Sequence, residues 1–205
     1  MEQFSLEKIK EDIVRKIEAA IENPISEVRL GEIEEKIKSI TEFFIENGFN
    51  NNEQKATEKA LEEEILKSST TVDNIAEFEI MLEILSDKFG SQHGWVENYL
   101  AHENAHGNVA EATGHDWVGY STVFIKDNNN ELTGIQPLNF TKSKPEWGPK
   151  EMLTKKIQVT EAPEKYGDKL SDGDKSELDW ERQKLEKIEE DEKRLIELRK
   201  ELGIK

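Results

Sequence analysis

The chain has no cysteine, which excludes disulfides, thiolate metal sites and cysteine nucleophiles and fits a reducing compartment. Basic side chains are outnumbered: 28 lysines and arginines stand against 45 aspartates and glutamates, for a formal net charge of −17. A surface of that sign repels a phosphate backbone, so no nucleic-acid partner is expected; its plainest consequence is solubility. No apolar run approaches the roughly 18 residues a membrane-crossing helix needs. The first residues, MEQFSLEKIKED, have neither the basic start nor the apolar stretch of a secretion signal. The expectation is a cytoplasmic protein without membrane insertion. Its 205 residues suffice for one medium domain or two small ones with a genuine core.

What is present is largely helical pattern. Ser5 can cap a first helix in which Leu6, Ile9, Ile13, Ile17 and Ile21 recur at helical spacing, with Pro24 beyond its end. A second, from about Ser26, places Leu30, Ile33, Ile37, Ile40 and Phe44 on one stripe and stops at Gly48, before the loop Asn50, Asn51, Asn52. Helices follow over about 53–67 and 74–89, the latter led by Asp73 and closed by Gly90. Another runs from Trp95 to Thr113, with Gly114 as its stop. Residues 117–126 switch to strand composition, Asp127 to Asn130 make a turn, and Glu131 to Leu138 return as a second strand. A helix over about 150–160 comes after a loop with Pro145, Gly148 and Pro149, and a break through Pro163 and Gly167 follows it. From Ser176 to Leu202 a charged helix carries Leu178, Leu185, Ile188, Leu195, Leu198 and Leu202 on a narrow seam, interrupted at Glu192 and suited to packing more than to a long zipper. The predicted class is mainly α with a small β-hairpin or sheet.

The four histidines, at 93, 102, 106 and 115, all fall in one short segment. Two of them frame His102-Glu103-Asn104-Ala105-His106 on the helix from Trp95. Residues four apart on a helix differ by about 40° in direction, so both imidazoles leave the same face and can ligate one zinc ion. Glu103 sits beside the first ligand, where its carboxylate can act on a metal-activated water as general base instead of binding the metal. No residue from Asn104 to Ala110 is charged, which suits a helix backing a site in a glutamate-rich chain. A catalytic zinc usually takes a third protein ligand. His115 is one candidate; Glu111 points about 180° away from His102 on a straight helix. His93 lies in a loop, where simple exposure is the ordinary state. Tyr120 can donate to an oxyanion or pack in its strand, Trp147 and Trp180 suit core cover, and strand 118–125 offers an edge to an extended peptide by strand addition.

The stretch His102-Glu103-Asn104-Ala105-His106-Gly107-Asn108-Val109-Ala110, then Ser121 to Lys126, then Leu132-Thr133-Gly134, resembles the peptidase domain of FtsH-type ATP-dependent zinc proteases. Their zinc helix reads HEAGHALVA, followed by a strand of the kind VTIIPRG and a glycine turn. Their third ligand is an acidic residue that follows a glycine and a short polar run and precedes a leucine. The matching stretch here is Gly173-Asp174-Lys175-Ser176-Glu177-Leu178, so the resemblance implies Glu177 as third ligand, with Asp174 and His115 as alternatives. Asp174 otherwise suits an N-cap of the terminal helix. The resemblance covers roughly 98–190. It departs in having glutamate for the usual aspartate, Asn108 for an apolar residue, Asn-Ala for Ala-Gly after Glu103, and no Walker motif.

The resulting expectation is a helical region over 1–90 and a zinc metallopeptidase-like domain over 91–205 ending in a long charged helix. His102, His106 and Glu177 would hold Zn2+, with Glu103 catalytic and a peptide or protein as substrate. The alternative is an inactive descendant that serves as a structural or interaction protein, meeting partners through its N-terminal helices or its C-terminal helix.

Overall fold

A computed structural model describes residues 2–47, 51–90, 94–144 and 146–202. Eight helices and four strands are present among them, so the fold is mainly α with a small sheet. Helix α1 (Glu2–Ile21) buries Ile13, Ile17 and Ala20, whereas Leu6 is exposed. The helix already runs from Glu2, so Ser5 lies inside it and is not its cap. After Pro24, β1 (Ile25–Ser26) leads into α2 (Glu27–Asn47), where the Ser26 hydroxyl accepts from the Arg29 amide at 3.2 Å. Leu30, Ile33, Ile40 and Phe44 form the buried stripe of α2. The expected stop at Gly48 and the start of the asparagine loop lie outside the described residues. Asn51 caps α3 (Asn52–Lys67) by accepting from the amides of Glu53 and Gln54. Asn74, not Asp73, caps α4 (Ile75–Phe89), which ends at Gly90 with φ +70°.

Between α3 and α4 lies a strand the hydrophobic pattern does not reveal, β2 (Ser69–Val72). Four residues are too few to show a period, and pairing alone defines them. Helix α5 (Trp95–Thr113) is followed by β3 (Asp116–Lys126) and β4 (Leu132–Lys142), the latter running four residues beyond the expected Leu138. Strand β3 organises the sheet. It pairs antiparallel with β2, parallel with β1, and with β4. Within 118–125, β3 is thus paired inside the protein at 120–123 with β2 and at 125 with β1. At Gly119 (φ +132°) a Cβ would lie 2.5 Å from the Val72 carbonyl oxygen, so this crossing of β3 and β2 demands glycine.

Contacts group the chain into two compact units, with the boundary within the unbroken α5: Met1–Asn104 with Trp117–Lys142, and Ala105–Asp116 with Ser143–Lys205. In the first, Ile13, Ile17, Val72, Phe78, Met81, Leu82, Leu85, Tyr120 and Phe124 form one core, and Ile25, Leu30, Ile33, Ile65 and Val123 a second. The hairpin thus shares its core with the N-terminal helices. In the second unit, α6 (Pro149–Thr160), the short α7 (Ala162–Lys165) and α8 (Asp172–Glu201) follow one another. Helix α6 packs on α8, with Leu153 and Leu178 buried. Helix α8 begins four residues ahead of the expected Ser176, and its N-cap is Ser171. No helix among the described residues is long and apolar enough to cross a membrane.

Candidate metal centre

The α5 helix ends in a Schellman turn: the Gly114 amide donates to the Glu111 carbonyl and the His115 amide to the Ala110 carbonyl, both at 3.0 Å, with Gly114 at φ +82°. Upstream of that stop, Glu103, Ala105, His106 and Ala110 are buried and His102 is half-buried, as the uncharged stretch implied. The i, i+4 spacing on the continuous helix sets His102 and His106 on one face.

One ligand atom from each of His102, His106 and Asp174 lies within 4.8 Å of the other two, and the group could hold a metal ion. Asp174 is the third residue of α8. Its Oδ2 accepts from the Ser171 amide at 2.9 Å and from the Ser171 hydroxyl at 2.6 Å, while its own amide donates to Ser171 Oγ at 3.0 Å. This is a capping box in which aspartate takes the place of the usual glutamate. The box occupies one carboxylate oxygen and fixes the plane of the group. The other oxygen, Oδ1, lies 3.5 Å from His106 Nε2.

His106 is oriented from behind. Its Nδ1 donates to the Val159 carbonyl of α6 at 2.8 Å. A carbonyl only accepts, so Nδ1 carries the proton, and in the neutral ring the lone pair is left on Nε2, the atom that faces Asp174. A carbonyl behind one ring nitrogen is the usual partner of a metal-ligating histidine, because it fixes the tautomer and raises ligand basicity. Val159 also lies in the last turn of α6, at the negative end of the helix dipole.

The other sequence candidates stand elsewhere. Glu177 lies three residues beyond Asp174 on α8, and its Oε1 is 3.4 Å from Lys156 Nζ; it is not in the group with the histidines. His115 is buried against the edge of Trp147 with ring centroids 4.8 Å apart, and its Nδ1 is 2.9 Å from Thr113 Oγ1. Burial, helped by the charge of Lys156, pushes its pKa down to about 4, so it is a neutral core side chain near pH 7. Trp147 is also covered on one face by Lys155 Nζ, 3.9 Å from the ring. Tyr120 stacks on Phe78 with centroids 4.9 Å apart, and its hydroxyl donates to Asn104 Oδ1 at 3.4 Å. Trp180 is half-buried, and Glu111 is exposed. His93 lies outside the described residues.

One contact was invisible to sequence reasoning. Val159 acts through its backbone and has no sequence signature. Glu181 is fully buried on α8, between Leu178 and Leu185 on the apolar seam. Comparison with protein-family models, with curated proteins and with solved structures found no match.

Proposed function

We propose that the protein is a zinc-dependent metallopeptidase that hydrolyses peptide bonds in the cytoplasm, with His102, His106 and Asp174 as zinc ligands and Glu103 as general base. The observation that carries the reading is the built donor set, in which both His106 Nδ1 and Asp174 Oδ2 are held by protein groups and Nε2 and Oδ1 are turned towards each other. Tetrahedral zinc with ligand bonds of about 2.0–2.1 Å separates neighbouring donor atoms by about 3.4 Å. The 3.5 Å between His106 Nε2 and Asp174 Oδ1 fits that requirement. Two imidazoles and one carboxylate also leave a fourth position for water, the pattern of catalytic and not structural zinc. The resemblance to FtsH-type proteases, whose usual third ligand is aspartate, supports Asp174 over Glu177.

Zinc in such a site supplies Lewis acidity and makes water acidic enough to deprotonate near pH 7. Glu103 would take the proton of that water as its oxygen bonded to the scissile carbonyl carbon, and would return it to the amide nitrogen as the carbon–nitrogen bond broke. His106 is held by the Val159 carbonyl and Asp174 by Ser171. The test is Glu103→Gln in the full chain, with zinc content and hydrolysis of a dye-labelled unfolded polypeptide as readouts. Retained zinc with hydrolysis reduced about a hundredfold or more supports the reading; full activity with zinc bound overturns it.

A second reading keeps the metal but not the catalysis: an interaction protein stabilised by its zinc helix. What favours it is the end of α8, where Leu195, Ile196, Leu198 and Leu202 are all exposed. Zinc uptake without hydrolysis in the same assay would select it.

A further inference from the structure

Glu181 is completely buried, on the same helix as Asp174. Seven residues separate them, so they share a helix face about 10.5 Å apart along the axis. Glu181 Oε2 lies 3.1 Å from Thr160 Oγ1, and Thr160 Oγ1 is also 3.1 Å from the Lys156 carbonyl oxygen. A threonine hydroxyl has one hydrogen and cannot donate to both. A protonated Glu181 resolves this shared hydrogen: its O–H donates to Thr160 Oγ1, and Thr160 donates to the Lys156 carbonyl. The other oxygen, Oε1, has no hydrogen-bond partner among the described residues and stands 3.7 Å from Lys156 Nζ. An ionised carboxylate left that way would be costly, a neutral one much less so. Three groups act on it electrostatically or by hydrogen bond: Lys156 and Thr160 from α6 and Glu177 from α8. Burial raises its pKa to about 7 against the pull of Lys156.

Thr160 directly follows Val159, whose carbonyl holds His106. We propose that Glu181 is a positioning residue of the metal site, a protonated carboxyl that ties the last turn of α6, and with it the Val159 carbonyl behind His106, to the helix that presents Asp174. The two ligands are then held at their separation by one α6–α8 clamp. The proposal rests on the zinc-site reading, but the clamp itself exists without metal.

Three variants of the full chain test it, Glu181→Gln, Glu181→Leu and Thr160→Val, each read two ways. One readout is zinc affinity by competition with a chromogenic chelator. The other is the ring-nitrogen chemical shifts of His106 in the metal-free protein at alkaline pH, which report the fraction of the Nδ1–H tautomer. The Gln side chain donates to Thr160 as the neutral acid does, so Glu181→Gln keeps the tautomer and the affinity. Glu181→Leu and Thr160→Val weaken zinc binding about tenfold, the low end for an outer-shell partner, and lower the Nδ1–H fraction. Thr160→Val preserves shape and decides the matter if the leucine variant does not fold. Unchanged tautomer and affinity in folded Glu181→Leu or Thr160→Val overturn the proposal, as does a Gln variant as impaired as the Leu one. If the unmodified protein takes up no zinc, the metal reading fails, and the tautomer comparison still decides the role of Glu181.

Discussion

Val159 accepts a hydrogen bond from His106 Nδ1 at 2.8 Å, and this one contact fixes which ring nitrogen of His106 is offered to Asp174. Residue 159 is far from the histidine pair in sequence and contributes no side-chain chemistry. The relationship ties the end of α6 to His106, and the start of α8 brings Asp174 to the same ring.

Asp174 and Glu177 are separated by a pair of substitutions. Asp174→Asn keeps an acceptor for the helix cap and removes the anionic donor. Its zinc affinity is expected to fall by more than the about 10–100-fold typical of an outer-shell partner. Glu177→Ala removes one carboxylate beside Lys156 and is expected to leave zinc stoichiometry at one per chain. Metal content of the two purified variants checks this; loss of zinc in Glu177→Ala alone would return the third position to Glu177.

Ser171→Ala separates the capping role of Asp174 from its ligand role. The variant loses the hydroxyl that donates to Oδ2 and receives the Asp174 amide. Losing an N-cap costs about 0.5–2 kcal/mol. Denaturant unfolding of the metal-free chain should show that loss, while zinc still binds at the same stoichiometry.

His115 makes stability depend on pH. Its folded pKa is pushed down to about 4 by burial and by Lys156, whereas an unfolded histidine titrates near 6.5. The folded protein therefore binds fewer protons between those values. The contribution is fully present above about pH 6.5 and is lost as pH falls towards about 4. His115→Phe, which keeps a ring against Trp147, should flatten the stability–pH curve in that window and leave it unchanged above. An identical slope in the variant would refute the assignment.

Two glycines should respond in opposite directions. Gly119→Ala forces a Cβ to 2.5 Å from the Val72 carbonyl at a positive φ, and a loss well above about 1 kcal/mol is expected. Gly31, inside α2, has nothing within 4 Å of an added Cβ. Gly31→Ala should stabilise by about 0.5–1 kcal/mol through helix propensity. Thermal unfolding of both variants measures the difference.

The sequence by itself determined what is local. The i, i+4 spacing of His102 and His106 places both rings on one face of any helix, and Gly114 stops that helix by a turn only a flexible residue forms easily. The stripes of α1 and α2 and the strand composition after Trp117 mark their elements for the same reason, because periodicity and propensity are properties of neighbouring residues. Tertiary structure decided the rest. Asp174 and Glu177 lie on one helix within one turn, and no spacing rule chooses between two carboxylates so placed. The packing of α6 on α8 sets Lys156 against Glu177 and buries Leu178 and Glu181, and Asp174 is the carboxylate that lies with the two histidines. The capping box at Ser171 then turns Asp174 Oδ1 to His106. Strand β2 was silent because four residues carry no period, and it became a strand through its ladder to β3. The His106 tautomer depends on a backbone carbonyl, a group every residue has, so only the fold shows which one reaches the ring.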